Sequence, residues 1–187
     1  MKISFTFLFL LFSFSLIADD ISDFEIEGMS VGDSALNFFT KKHIEDNKFD
    51  YPNKKFMIVQ NNGPLFFEKY DAVDFHYKTG DPNYIIQNIS GIIFYNNNFD
   101  ACNNQLDNIV EELSETFNLK KSDKFVEKFL GDKSGKSKFS EVYFELKSGF
   151  AVVQCYDFAE DYNSHDFLTV ALDNFEINTW LSNEAWK

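Results

Sequence analysis

The chain has 187 residues, 44% of them hydrophobic and 24 of them phenylalanine, with 17 basic against 30 acidic side chains and a formal net charge of −13. That length and apolar content supply one compact core, while the acidic excess repels nucleic acid and anionic membrane surfaces. Every basic residue is lysine, so a site built on bidentate arginine recognition of phosphate or carboxylate is excluded.

Residues 1–18 form a segment of their own: Lys2, an almost unbroken apolar run from Ile3 to Ile17, then Ala18 before Asp19 and Asp20. This is the layout of a secretory signal peptide cut after Ala18, and its apolar run is short against the roughly 20 residues a membrane span requires. A periplasmic or secreted protein with no stable membrane insertion after cleavage is expected, and residues 19–187 are expected to form a single α+β domain.

Asp19 to Glu27 alternates as a short extended segment. Ser30 with Asp33 three residues on makes a capping box, predicting a helix with Ala35, Leu36, Phe38 and Phe39 inward and a further turn from Thr40 to Ile44. Strands are expected at Phe56–Gln60, Leu65–Glu68 and Ala72–Lys78. In the last of these Val73, Phe75 and Tyr77 oppose Asp74, His76 and Lys78, the pattern of a sheet with one wet side. Tyr84–Tyr95 reads as a longer, bent strand with Gly91 at a bulge. Asn88-Ile89-Ser90 matches a glycosylation acceptor by chance, inside that strand.

Phe99–Asn118 is the strongest signal in the chain. Leu106, Ile109, Val110, Leu113 and Phe117 make one apolar stripe at helical spacing, Asp100 suits the N-cap, and the polar face is acidic. A short helix is predicted at Ser122–Phe129, stopped by Gly131. Phe139–Lys147 and Phe150–Phe158, joined by Ser148-Gly149, form the clearest hairpin. Phe167–Leu172, apolar on both faces, reads as a central strand, and Asp173 with Glu176 caps a closing helix that buries Phe175, Ile177, Trp180 and Leu181.

The order of elements predicts an antiparallel sheet of about six strands with helices on one face, with residues 28–95 and 99–181 as two helix-then-strands repeats. Cys102 and Cys155, the two cysteines of an exported chain, are expected to form a disulfide. It would close a loop of about 50 residues, worth roughly 4 kcal/mol.

Gly28-Met29-Ser30 opening a helix that leads into strands resembles the start of small outer-membrane assembly lipoprotein domains of the SmpA/OmlA type. A doubled unit of that kind is similar to the exported beta-lactamase inhibitor protein fold. The chain departs from both in having no lipid-bearing cysteine and no Gly-Met start before the central helix. The signal segment, the all-lysine composition and the Gly28 to Asp33 opening also resemble small exported proteins of AT-rich bacteria, a resemblance that implies no activity.

Chemistry leaves few signatures. His43, His76 and His165 show no zinc spacing. Gly28–Asp33 lacks the strand and lysine of a phosphate loop, and Gly135-Lys136-Ser137 has Leu130 where the P-loop pattern requires its first glycine. Cys155, His165 and Asp166 can be drawn as nucleophile, base and orienting acid, but a disulfide accounts for Cys155 better. Asp157, Glu160, Asp161, Asn163 and Asp166 crowd one loop without a calcium-loop glycine. No catalytic, cofactor or metal residue is therefore expected.

Two functions follow. The first is a non-catalytic protein-interaction module of the cell envelope whose open sheet face presents aromatics such as Tyr143 and Tyr156. The second is a small-ligand binder, or an enzyme, with a phenylalanine-lined pocket. A flat aromatic face favours the first; a cavity with converging polar groups favours the second.

Overall fold

The computed structural model describes residues 20–62, 67–95, 98–162 and 164–187. The signal segment expected at residues 1–18 and the first half of the strand expected at Leu65–Glu68 lie outside the described residues, and Phe67 and Glu68 are not in a strand. The protein is α+β. Its strands are β1 (Lys48–Asp50), β2 (Phe56–Asn62), β3 (Ala72–Lys78), β4 (Ile86–Phe94), β5 (Phe125–Lys128), β6 (Lys138–Leu146), β7 (Gly149–Asp157) and β8 (Phe167–Asn174). Its helices are α1 (Lys41–Asp46), α2 (Phe99–Phe117) and α3 (Phe175–Asn183). All eight strands join one antiparallel sheet in the order β1-β2-β3-β4-β8-β7-β6-β5, two meanders meeting at their last strands. Among the described residues no helix is long and apolar enough to cross a membrane.

The sheet has eight strands rather than about six. β1 is a three-residue edge strand with every residue exposed, too short and too wet to show an alternation. β5 occupies part of the helix predicted at Ser122–Phe129. Phe125, Val126 and Phe129 fit helical spacing, but pairing with β6 from Phe125↔Glu141 to Lys128↔Lys138 prevails. The helix predicted after Gly28 shrinks to a single 3-10 turn, Ala35–Asn37, capped by Ser34, which leaves Leu36 and Phe38 exposed. Thr40 does start α1, its hydroxyl accepting from His43 N.

α2 begins two residues before the expected cap, with Asn98 rather than Asp100 as N-cap. Its buried residues Cys102, Leu106 and Val110 pack over β7 and β8, in one core with Ala151, Val153, Leu168 and Leu172. Val59, Phe75 and Ile89 continue that core under β2–β4, where Ile26, Met29 and Ile44 cover it. Cys102 and Cys155 are joined by a disulfide, so the first turn of α2 is tied to β7.

The helices do not share one face. α3 lies across the opposite side, because its cap is Asn174, the residue that ends β8, and the chain has no loop in which to cross. Ile177 and Trp180 pack with Phe56, which alternates away from the α2-facing Met57 and Val59. Asp173, expected as the cap, stays in the strand.

Seven inter-strand spacings of about 4.8 Å would hold the edges of a flat eight-stranded sheet about 34 Å apart. Here one side chain bridges them. The Trp186 ring lies 5.0 Å from that of Tyr51, just after β1, and 5.5 Å from that of Phe129, just after β5. The sheet is thus curled toward a barrel, in keeping with strand twist and the register shift between His76 and Tyr77, and the tail after α3 spans the seam.

Candidate functional site

The concave side of the curled sheet, opposite α2, holds a cleft of about 840 Å³, within the range of small-molecule sites. Strand alternation dictates what faces it. One rung of the ladder presents His76, Asn88, Asp173 and Phe150; the next Gln60, Asp74, Ser90, Ala171 and Val152; the next Ile92, Thr169, Gln154 and Glu141. Beyond these Phe139, Tyr156 and Phe167 join Phe129 and Phe158 in an aromatic wall, with ring centroids 4.7–5.7 Å apart.

Two hydrogen-bonded chains headed by tyrosines organise the polar part. Tyr51 O–H donates to His76 Nε2 at 3.0 Å, and His76 Nδ1 donates to Asn88 Oδ1 at 2.7 Å. Asn88 Nδ2 in turn donates to Asp173 Oδ1. From α3, Asn178 Nδ2 donates to the other oxygen of Asp173 at 3.1 Å. The Asn88 oxygen can only accept, which places a proton on Nδ1, and burial keeps the ring neutral, so that Nε2 is the acceptor for Tyr51. Burial holds the imidazole down to about 4 and pushes the Asp173 carboxyl up. In the second chain Tyr156 O–H donates to Gln154 Oε1 at 3.0 Å and Gln154 Nε2 donates to Glu141 Oε2 at 2.5 Å. Burial lifts the Glu141 carboxyl to about 7 and raises both phenols.

Two cleft-facing groups stand outside these chains. Asp74 is 6% exposed; its Oδ2 accepts from Gln60 Nε2 at 3.2 Å, while its Oδ1 has no partner among the described residues. Burial raises its carboxyl to about 7. Thr169, 5% exposed, also has a hydroxyl oxygen with no partner among the described residues. A buried polar atom left unpaired costs about 1–3 kcal/mol, so two of them on one concave wall leave hydrogen-bonding capacity that the described residues do not meet.

The residues weighed from sequence fall elsewhere. Cys155 is buried in the disulfide and offers no thiolate, and His165 is exposed on its loop. In the acidic loop Asp157 pairs with Lys138, Asp161 pairs with Lys136, and Asp166 accepts from Phe158 N; Asn163 lies outside the described residues. Among the described residues no trio of His, Cys, Asp or Glu is arranged to hold a metal ion. In the loop containing Gly135-Lys136-Ser137, the amides of Ser134 and Ser137 both donate to Asp132, so the chain's own carboxylate occupies the place of a phosphate. His43 donates to Asn61 at 2.5 Å on the α2 side of the sheet. Asn88, the nominal glycosylation acceptor, is buried.

The sequence reading missed Tyr51, Asn88, Glu141, Gln154, Thr169 and Asp173 as site residues and took Asp74 and His76 for a wet face. A signal was present: at the cleft-facing positions of β3, β4, β7 and β8 the polar residues are Asp, His, Asn, Ser, Thr and Gln, with Lys78 the sole lysine, at a strand end. A solvated face in a chain this rich in lysine would carry more. Comparison with protein-family models, with curated proteins and with solved structures finds no match.

Proposed function

We propose that the protein is an exported binding protein that holds a small organic molecule in its concave cleft. The observation that carries this reading is the pair of buried, unpartnered oxygens, Asp74 Oδ1 and Thr169 Oγ1, on the wall of a cleft of about 840 Å³. The lining joins an aromatic wall to a polar floor whose side chains are held by one another, a combination that can orient a ligand. Binding without turnover is supported by His76, whose two ring nitrogens are both engaged, by Tyr51 and Asn88. The disulfide suits an oxidising compartment, in line with the signal segment read at residues 1–18.

Native mass spectrometry of the protein purified without denaturation tests the proposal. A bound small molecule that is released on acid unfolding is the expected result. A bare chain that instead captures a stoichiometric protein partner supports the second reading, an interaction module. That alternative draws on Tyr143 and Trp186, which line the cleft at 36% and 37% exposure and would meet a protein segment inserted there.

A further inference from the structure

We propose that the cleft takes an organic cation, an ammonium carried on an aromatic or aliphatic body, with the ammonium at Asp74 and a hydrogen-bonding far end at Thr169. The inference rests on the ligand-binding reading and adds the ligand's class.

Charge supports it first. The acidic side chains lining the cleft are Asp74, Glu127, Glu141, Glu145 and Asp173, against Lys128 alone among lysines. An anion would find one lysine against two exposed carboxylates, Glu127 and Glu145, and three buried or half-buried carboxyls that an added negative charge would oppose, and a metal ion would find no converging trio among the described residues. Of the carboxylates, Asp173 is bonded at both oxygens, by Asn88 and Asn178, while Glu141 is bonded at one, by Gln154, and is only half-buried. Asp74 keeps an oxygen that has no donor among the described residues, and an ammonium is a donor that also neutralises it.

Spacing supports it second. Asp74 and Thr169 sit two strands and one rung apart, about 12 Å between backbones at a strand spacing of about 4.8 Å and a rise of about 3.4 Å per residue. Between them lie Ser90, whose hydroxyl is bonded to the Asn88 side chain, and the buried apolar Ile92 and Ala171, with the ring of Phe167 next to Thr169 along β8. The wall therefore runs from a carboxylate past one engaged serine and two apolar side chains to a hydroxyl.

Burial keeps a proton on Asp74 up to about pH 7, and an arriving ammonium displaces it. Binding then releases a proton below that pH and tightens as pH rises toward 8. The other ionisable groups lining the cleft are His76 on the same strand, Tyr51 beyond β1, and Asp173, Glu141, Glu145, Glu127, Lys128, Tyr143, Tyr156 and Tyr162 on the far side. α3 contributes Asn178, Leu181 and Ser182, none of them ionisable.

Three size-matched probes test the proposal on the full chain by titration calorimetry and amide NMR: tyramine, its neutral analogue 2-(4-hydroxyphenyl)ethanol, and the anionic 4-hydroxyphenylacetate. Tyramine is expected to bind at least about tenfold more tightly than the neutral probe at pH 7.5, with the anion weakest. Asp74→Asn should bring tyramine down to the neutral probe's affinity and abolish proton release, and Thr169→Val should weaken tyramine and the neutral alcohol alike. If the neutral or anionic probe binds as tightly as tyramine, or if Asp74→Asn leaves tyramine unaffected, the cation assignment is overturned while the ligand-binding reading stands. If no probe shifts the amides of β3, β4 and β8, both are overturned.

Discussion

Asn88 accepts from His76 through its side-chain oxygen at 2.7 Å and donates to Asp173 through its side-chain nitrogen, so one amide couples a neutral ring to a buried carboxylate across three strands. The ring gains no charge partner from this arrangement, and its buried, neutral state is linked to folding. Between about pH 4 and pH 6.5 the unfolded ring holds a proton that the native ring does not. Acid therefore favours unfolding through this group, and its contribution is restored as pH rises through 6.5. The stability difference between wild type and His76→Asn should narrow by about 2 kcal/mol as pH falls from about 6.5 to about 4.5. Urea unfolding at half-unit steps reads this directly, and a constant difference would mean that the ring titrates normally in the native state.

Asp74 has the opposite sign. Its native carboxyl keeps a proton up to about pH 7, whereas the unfolded group loses it near its ordinary 3.8. In that window the native state holds more protons, so the stability this group allows is lost as pH rises from about 4 to about 7. Asp74→Asn should stabilise the protein by about 2–4 kcal/mol at pH 8 and by under about 1 kcal/mol at pH 4. Thermal melts at the two pH values check it; an equal effect at both would contradict the shift.

The disulfide closes a loop with a sequence separation of 53. The double variant Cys102→Ala/Cys155→Ala should lose about 4 kcal/mol in urea unfolding. Amide exchange should accelerate first in the opening turn of α2, which the bridge pins to β7.

Trp180 is fully buried, edge-on to Tyr51 and tilted against Phe56, each at 5.0 Å. Trp180→Ala should cost about 3–5 kcal/mol. Trp186, more exposed and at the seam, should cost about 1 kcal/mol on replacement by alanine. Its loss should speed exchange near Tyr51 and Phe129 and leave α2 unchanged, which separates closure of the seam from global stability.

The sequence made the covered face legible and the concave one illegible. Leu106 and Val110 repeat at helical spacing, and Val73, Phe75 and Tyr77 alternate, because each buries its side chain against a local neighbour in the pattern. Asp74 and His76 alternate just as cleanly, but alternation reports which face a residue occupies and says nothing of whether that face is flat or curled. Burial of that face depends on Trp186 reaching both Tyr51 and Phe129, a relation among distant positions that no local window contains. β5 failed for a related reason: Phe125 and Val126 carry a helical spacing whose alternative, four pairs with β6, is tertiary. The disulfide was readable because a pair of cysteines allows a single pairing.

Asn88 and Asp173 lie 85 positions apart, and the cleft floor between them is assembled only when β4 meets β8. Ladders of such separation form slowly, since a long loop must close before any pairing compensates it. The first four strands can therefore complete their own meander during synthesis without forming the cleft, and a chain released before its last stretch emerges lacks half of its walls. The cleft is in this sense a mark of completion, present only on chains that were finished.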